Sequence, residues 1–328
     1  MRGLDRRQLA GLAVLLVLAC ALPFLVANYR VFQITLVLAY AIALLGLNML
    51  TGYNGQISLG HGAFYAIGAY VTAILVVHAG VTHWAAIPVA AAICFVAGFL
   101  FALPVLRLGT MHLAMATFAV GAVVPILAKA RAIEQWTGGG QGMGIDVPRV
   151  PFGLPLSFDQ WLYLLTLFVL SIAFVLTANL LRGRIGKAIL AIRDDPIAAQ
   201  AMGIDLVLYK SLVFGVSALL AGVAGALGAL ALRYVGPGMF GIFLSFGLLI
   251  GIAVGGIASL SGAIYGAIFL QVIFLLVGTT ARALQSWNLS LIYGTILILF
   301  LCFNPHGVAG AVDRIAAWIR RRRSPSGA

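Results

Sequence analysis

Arg182 to Lys210, RGRIGKAILAIRDDPIAAQAMGIDLVLYK, decides how the rest of the chain is read. These 29 residues hold eight of the 28 charged residues, five basic and three acidic, and an uncharged run of 22 residues lies on either side. A helix crossing about 30 Å of hydrocarbon needs roughly 20 apolar residues, so the stretch reads as a polar loop between two membrane helices. The same test, applied outward in both directions, organises the whole sequence.

Of the 328 residues 63% are hydrophobic and 9% charged, against roughly 25% charged in a soluble domain. The expected fold class is therefore all-α: a polytopic membrane protein, one domain over residues 1–328. The net charge of +12 does not mark a nucleic-acid binder, because the basic residues are scattered among apolar segments and form no basic face. Cys20, Cys94 and Cys302 each lie inside an apolar run, far from one another, and signal neither a disulfide framework nor a metal site. Met1 to Arg7 followed by an apolar run imitates a secretory signal, and Val17 to Cys20 a lipoprotein cleavage site. A cleaved signal opens onto a polar mature domain; here more membrane follows, so Gln8 to Asn28 is expected to be a retained first span.

Charge-free intervals at 8–29, 31–106, 108–128, 160–181, 211–232, 234–281 and 283–312 count the spans. The interval 31–106 has room for three crossings and two breaks, Thr51 to Gly60 and His78 to His83; 234–281 has room for two, broken between Gly255 and Gly262. About ten helices are expected. With the N-terminus inside, the inner segments then hold 14 basic residues (Arg2, Arg6, Arg7, Arg107, Arg182, Arg184, Lys187, Arg193, Lys210, Arg314 and Arg320 to Arg323). The outer ones hold six: Arg30, Lys129, Arg131, Arg149, Arg233 and Arg282. This asymmetry satisfies the positive-inside rule and puts both termini and the 182–210 loop in the cytoplasm. Trp84, Trp161 and Trp287 then each begin a helix at the outer interface, where amphipathic rings prefer to sit. Glycines spaced four apart, as at Gly251/Gly255 and Gly262/Gly266, with Gly222, Gly225 and Gly228, predict close helix packing. The outer loop, Ala132 to Asp159, is rich in glycine and proline and reads as a short lid or a docking surface.

Several motifs imitate chemistry without supplying it. Gly236 to Gly241 matches GxGxxG but follows an apolar helix, with no strand expected before it. Gly186-Lys187 resembles the end of a phosphate loop, yet Leu181 and Ala188 stand where glycine and a hydroxyl residue belong. His61, His78, His83, His112 and His306 show no ligand spacing, and no Gly-x-Ser-x-Gly elbow occurs; no enzyme activity, cofactor or metal is implied. No span interior holds Asp or Glu, which disfavours a proton-coupled carrier; sodium coupling through carbonyls and hydroxyls stays open.

One intramembrane stretch reads as functional. Thr51 to His61, TGYNGQISLGH, is polar, glycine-rich and uncharged, and interrupts the longest apolar interval. Irregular backbone at membrane depth is tolerated only where protein or a water-filled cavity satisfies it. Asn54, Gln56, Ser58 and His61 are therefore candidates for lining a solute path, with Thr117 and Ser245 as weaker ones. A plain cytoplasmic turn between two helices is the alternative.

In the central loop, Ile185, Ala188, Ile189 and Ile192 recur at helical spacing, with Arg184, Lys187 and Arg193 on the other face. Asp194-Asp195-Pro196 reads as a stop and a restart, with Asp195 as N-cap, Pro196 at the first helical position and Gly203 as C-terminal cap. GRIGKAILAIRDDPIAAQAMGIDLVLYK resembles the cytoplasmic loop of the membrane-spanning permeases of branched-chain amino-acid ABC importers, the M-type subunit in particular. LTGYNGQISLGHGAFYAIGAY, LRLGTMHLAMATFA, WTGGGQGMGI, FGLLIGIAVGGIASLSGAIYGA and LIYGTILILFLCFNPHGVAG extend the similarity along most of the chain.

The resemblance implies a bacterial inner-membrane permease with no nucleotide site of its own. It pairs with a second, homologous permease and two cytoplasmic ATPases, and takes substrate from a periplasmic binding protein. The loop would be the coupling element, through Arg193, Asp194, Asp195, Pro196, Ala199 and Gly203. Leu, Ile and Val are the first expectation for substrate; similar permeases also carry urea, short amides and other amino or carboxylic acids.

Overall fold

The computed structural model describes residues 17–106, 110–146, 150, 155–284 and 307–310. Among them the chain is built almost wholly of helices. α1 (17–25) is followed by α2 (Asn28–Asn48), which runs on as a π-helical turn, Met49–Tyr53. Next come α3 (His61–Val77), α4 (His83–Leu106), α5 (Thr110–Leu127) and the short α6 (Glu134–Thr137). The second half has α7 (Phe158–Arg182), α8 (Arg184–Asp194), α9 (Pro196–Ala201), α10 (Leu206–Leu232), α11 (Ile242–Gly255) and α12 (Gly262–Leu284). The three expected breaks fall where the sequence places them, at 54–60, 78–82 and 256–261. The tenth expected span, with Trp287, Cys302 and His306, lies almost entirely outside the described residues, as do the basic clusters at both termini.

Length separates two kinds of helix. The α2 helix with its π-turn, α4, α7 and α10 are long and apolar enough to cross a membrane, and α5 joined to residues 131–137 across a 63° bend is a fifth candidate. α3 and α11, with 17 and 14 residues, extend only about 25 and 21 Å at 1.5 Å per residue. By length alone the described residues thus yield four to five full crossings where the charge-free intervals predict more. Part of that difference falls on residues outside those described; within them, α3 and α11 are short because polar or glycine-rich segments, at 54–60 and 256–261, stand where further helix would run.

α10 and α2 form the centre. Most of each is buried, α10 against α2, α3 and α4, whereas α4 and α7 present most of their surface outward. Lipid supplies no hydrophobic drive between helices, so the centre depends on close backbone approach. Gly68 of α3 lies against the backbone of Gly222 in α10, and Gly266 of α12 against the Gly251 carbonyl of α11; a Cβ at either Gly68 or Gly266 would overlap its neighbour. Polar side chains add crosslinks: Gln271 of α12 donates to Gln33 of α2, which donates in turn to Tyr29.

At the end of the bundle away from α8 and α9, Trp161 donates its indole N–H to His83 at 2.9 Å and ties the starts of α7 and α4 together. Arg233 pairs with Asp159 at 2.7 Å and lies over the Phe158 ring. Contrary to expectation, a strand does precede Gly236. It has two residues, Tyr234–Val235, paired antiparallel with Met143–Gly144 of the glycine-rich loop. A 3-10 turn follows, so no dinucleotide-binding βαβ unit exists here, and the strand pair serves to fasten that loop to the α10–α11 connection. Among the described residues no group of His, Cys, Asp or Glu is arranged to hold a metal, and Cys20 and Cys94 are free thiols.

Candidate functional site

The break after α2 begins with the π-turn. In an α-helix the Gly52 carbonyl would accept from the Gln56 N–H, but that N–H donates instead to Leu50 O at 3.1 Å, and Thr51 Oγ1 donates to Gln56 O at 3.1 Å. Gly55 takes a left-handed conformation, φ +69°, which glycine adopts without steric cost. From there to Gly60 the chain is neither helix nor strand, with a bend at Leu59. Asn54, Gln56, Ser58 and Gly60 are buried, whereas Gly55 and Ile57 are exposed.

α3 starts well inside the bundle. His61 Nε2 is 2.6 Å from Ser217 Oγ, and Ser217 is the twelfth residue of α10 counted from Leu206, about 16 Å along that helix. His61 Nδ1 is 2.9 Å from Ser58 Oγ. A neutral imidazole donates from one nitrogen and accepts at the other, so one of the two serines accepts from the ring and the other donates to it. Leu59 N–H donates to Thr117 Oγ1 at 3.1 Å and Gly62 N–H to Ser245 Oγ at 3.0 Å. Thr117 also donates to its own helix, at Ala114 O. Phe64 and Phe214 stand edge-on to the His61 ring.

The structure thus brings together four of the six path candidates, Ser58, His61, Thr117 and Ser245, in an uncharged polar cluster enclosed by apolar side chains. Asn54 and Gln56 lie on the same segment, 2% and 0% exposed, yet neither carboxamide has a hydrogen-bond partner among the described residues. An unpaired buried polar group costs about 1–3 kcal/mol, and a native protein retains such groups for a reason. The far end of the segment reaches mid-height of α10 and α5, with the side chains of Asn54, Gln56 and Ser58 buried.

Two residues of this region escaped the sequence reading. Ser217 is a single hydroxyl in an alanine- and glycine-rich helix, with its partner 156 positions away. Asn48 donates to Ser259 O at 2.6 Å and accepts from Ala258 N–H at 2.9 Å, clamping the break between α11 and α12 to the end of α2. The available signal is an amide following the run Leu36 to Leu47, which holds no other amide.

The loop at 182–210 folds as its capping signals predict. Ala188, Ile189 and Ile192 are buried on the inner face of α8, with Arg184 and Lys187 exposed. Gly186 lies inside that helix against Leu181, so no phosphate loop forms. Asp195 Oδ1 accepts from Ile197 and Ala198 N–H at 2.9 and 3.0 Å, and Pro196 opens α9. Gly203, at φ +82°, ends it in a Schellman arrangement: Gly203 N–H donates to Gln200 O and Ile204 N–H to Ala199 O. Asp205 then caps α10 through Leu208 N–H.

Two coupling candidates make contacts within the chain. Ala199 is only 3% exposed, packed against its own chain. Arg193 Nη1 donates to Gly52 O at 3.0 Å, and its Nε and Nη2 donate to Asp194 Oδ1. The outward face belongs to Ile197 and Met202, 81% and 84% exposed.

Comparison with known proteins places this architecture. A family model described as the permease component of branched-chain amino acid transport systems matches residues 29–301. The chain is 33% identical, over 331 aligned positions, to the high-affinity branched-chain amino acid transport system permease protein LivM of Escherichia coli K12, covering 93% of this chain and 76% of that protein. LivM of Salmonella typhimurium is 32% identical over the same shares, and BraD of Pseudomonas aeruginosa 26% identical over 83% of this chain and 91% of its own. No solved structure gives a significant match. With the family match running through the buried break, the capped loop and nearly all of the described helices, the chain belongs to the permease components of branched-chain amino acid transport systems.

Proposed function

We propose that this chain is the membrane-spanning permease subunit of an ABC importer that carries leucine, isoleucine and valine into the cytoplasm. The observation that carries the reading is the family match across residues 29–301, which includes both the uncharged buried break and the α8–α9 loop. The importer is completed by a second, homologous permease, two cytoplasmic ATPases and a periplasmic binding protein, with both termini of this chain and the α8–α9 loop in the cytoplasm. Asn54, Gln56, Ser58, His61, Thr117 and Ser245, together with Ser217, line the path. A zwitterion with an aliphatic side chain suits a passage with hydroxyls, carboxamides and aromatic walls but no fixed charge. Movement follows alternating access: ATP-driven closure of the ATPases displaces the loop from Arg193 to Gly203 and tilts the bundle.

The α9 helix docks on the ATPase through Ile197 and Met202, its exposed apolar residues. Uptake of labelled leucine into proteoliposomes holding the whole complex tests the reading. Uptake is expected to require ATP and the binding protein, and to be competed by isoleucine and valine but not by urea or acetamide. Uptake by the permease alone on a sodium gradient would overturn it in favour of a secondary carrier, and competition by urea or acetamide would reassign the substrate within the same family.

A further inference from the structure

We propose that Arg193 is a positioning residue that carries movement of the α8–α9 loop into the buried break, by holding the π-turn at Met49–Tyr53. The proposal rests on the coupling reading above and assigns it a point of entry into the bundle.

Arg193 is the last but one residue of α8, four residues before Ile197, yet its guanidinium reaches back to the π-turn. Its Nη1 donates to Gly52 O at 3.0 Å. That carbonyl is open because the Gln56 N–H, its partner in a regular helix, is bound to Leu50 O. The aliphatic part of Arg193 packs on Gly55, where a Cβ would come within 3.1 Å of Cγ. Asp194 orients the guanidinium from the solvent side, its Oδ1 accepting from Nε and Nη2 at 3.3 and 3.2 Å. One cation therefore grips both sides of the turn between α2 and the irregular segment that follows, and a hydrogen bond from an ionised donor is among the stronger ones.

Gly52 is also packed from the far side. A Cβ there would meet Ala258 N at 2.5 Å, and Asn48, four residues back, bonds both Ala258 and Ser259. The π-turn is thus held between α8 and the α11–α12 break, and Asn54, Gln56 and Ser58 follow within six residues. A displacement of α8 transmitted at Gly52 reaches both interruptions of the bundle at once. π-Turns inside helices recur at functional sites, and here the extra residue in the turn is what leaves the carbonyl for Arg193.

The test uses the complete complex in proteoliposomes, with cysteines 20, 94 and 302 replaced by alanine and Ile57→Cys as a label on the segment's outward face. Arg193→Met keeps the stem and removes the donors; Arg193→Lys restores one. With Arg193 in place, ATP is expected to change the labelling rate at position 57 by at least threefold. With Arg193→Met the ATPases should still co-purify in the parental ratio, the ATP-dependent change should vanish and leucine uptake should fall at least tenfold. Arg193→Lys should recover uptake to within about threefold of the parent. Should Arg193→Met not yield a monodisperse complex, Arg193→Gln, too short to reach Gly52, is read the same way.

Uptake within twofold of the parent, or an unchanged labelling response, would overturn the proposal. So would loss of the ATPases on purification, since Arg193 would then be a docking contact. The coupling reading fails separately: it fails if Ile197→Glu and Met202→Glu together leave ATPase binding and uptake intact, a result that does not involve Arg193.

Discussion

Replacing Asn48 by leucine keeps the volume at the end of α2 and removes both bonds to the α11–α12 break. The side chain is 1% exposed; its amide donates to Ser259 O at 2.6 Å and its carbonyl accepts from Ala258 N–H at 2.9 Å. Ala258 has φ +60°, a left-handed conformation that a residue with a Cβ holds at a cost of about 1–2 kcal/mol. Asn48→Leu leaves a backbone donor and a backbone acceptor without their partner and the strained residue without its clamp. At about 1–3 kcal/mol for each orphaned group, and with some of that recovered as the turn relaxes toward water, a net loss of about 2–4 kcal/mol follows. Thermal unfolding of the purified protein in detergent, followed by tryptophan fluorescence, should show a midpoint lower by roughly 5–10 °C. Asn48→Asp keeps the acceptor and loses the donor, and should fall at least as far, because a buried carboxylate would face the Ser259 carbonyl. A midpoint within 1 °C of the parent for Asn48→Leu would refute the reasoning: the turn at 256–261 would be holding itself.

Three further outcomes follow from contacts described above. Ser217→Ala leaves one nitrogen of the buried His61 ring unpaired and should lower stability by about 1–3 kcal/mol and slow leucine uptake, whereas Ser171→Ala, at a half-buried hydroxyl that bonds its own helix at Leu167 O, should do neither; equal effects at both positions would remove Ser217 from the site. Gly203→Ala meets open space, so only its φ of +82° opposes it, a cost of about 1–2 kcal/mol that should appear as faster proteolysis of the loop, with Gly203→Asn milder; no change would mean that the turn is not left-handed in solution. Gly222→Leu drives a side chain into Cys94 and toward the Ala90 carbonyl of α4 and should prevent recovery of folded protein from the membrane, while Gly238→Leu, with nothing within 4 Å, should express normally.

What the sequence disclosed depended on the range of the interactions. The α8–α9 loop was legible nearly to the residue, because N-caps, a proline at the first helical position and a left-handed glycine act over four or five positions. The breaks were legible too, since composition alone betrays TGYNGQISLG inside an apolar interval. Their depth was not. A short polar interruption looks the same at the end of a helix and in its middle, and only partners 58, 156 and 183 positions away, Thr117, Ser217 and Ser245, place this one inside. The contacts that Ala199 and Arg193 make within the chain are illegible in the sequence for a related reason: a helix of fewer than two turns has no periodicity from which to tell its inner face, and an arginine beside two acids looks solvated until its carbonyl acceptor is seen.

The alternation of burial from Asn54 to Gly60 gives this part of the chain a parity. Deleting any one residue between Gly55 and Ser58 would turn Ile57 toward the cluster or send Gln56 toward the outside, while the anchors at Gly52 and His61 stayed where they are. Changes of length are therefore tolerable only in pairs, and related permeases should differ here by two residues or by none.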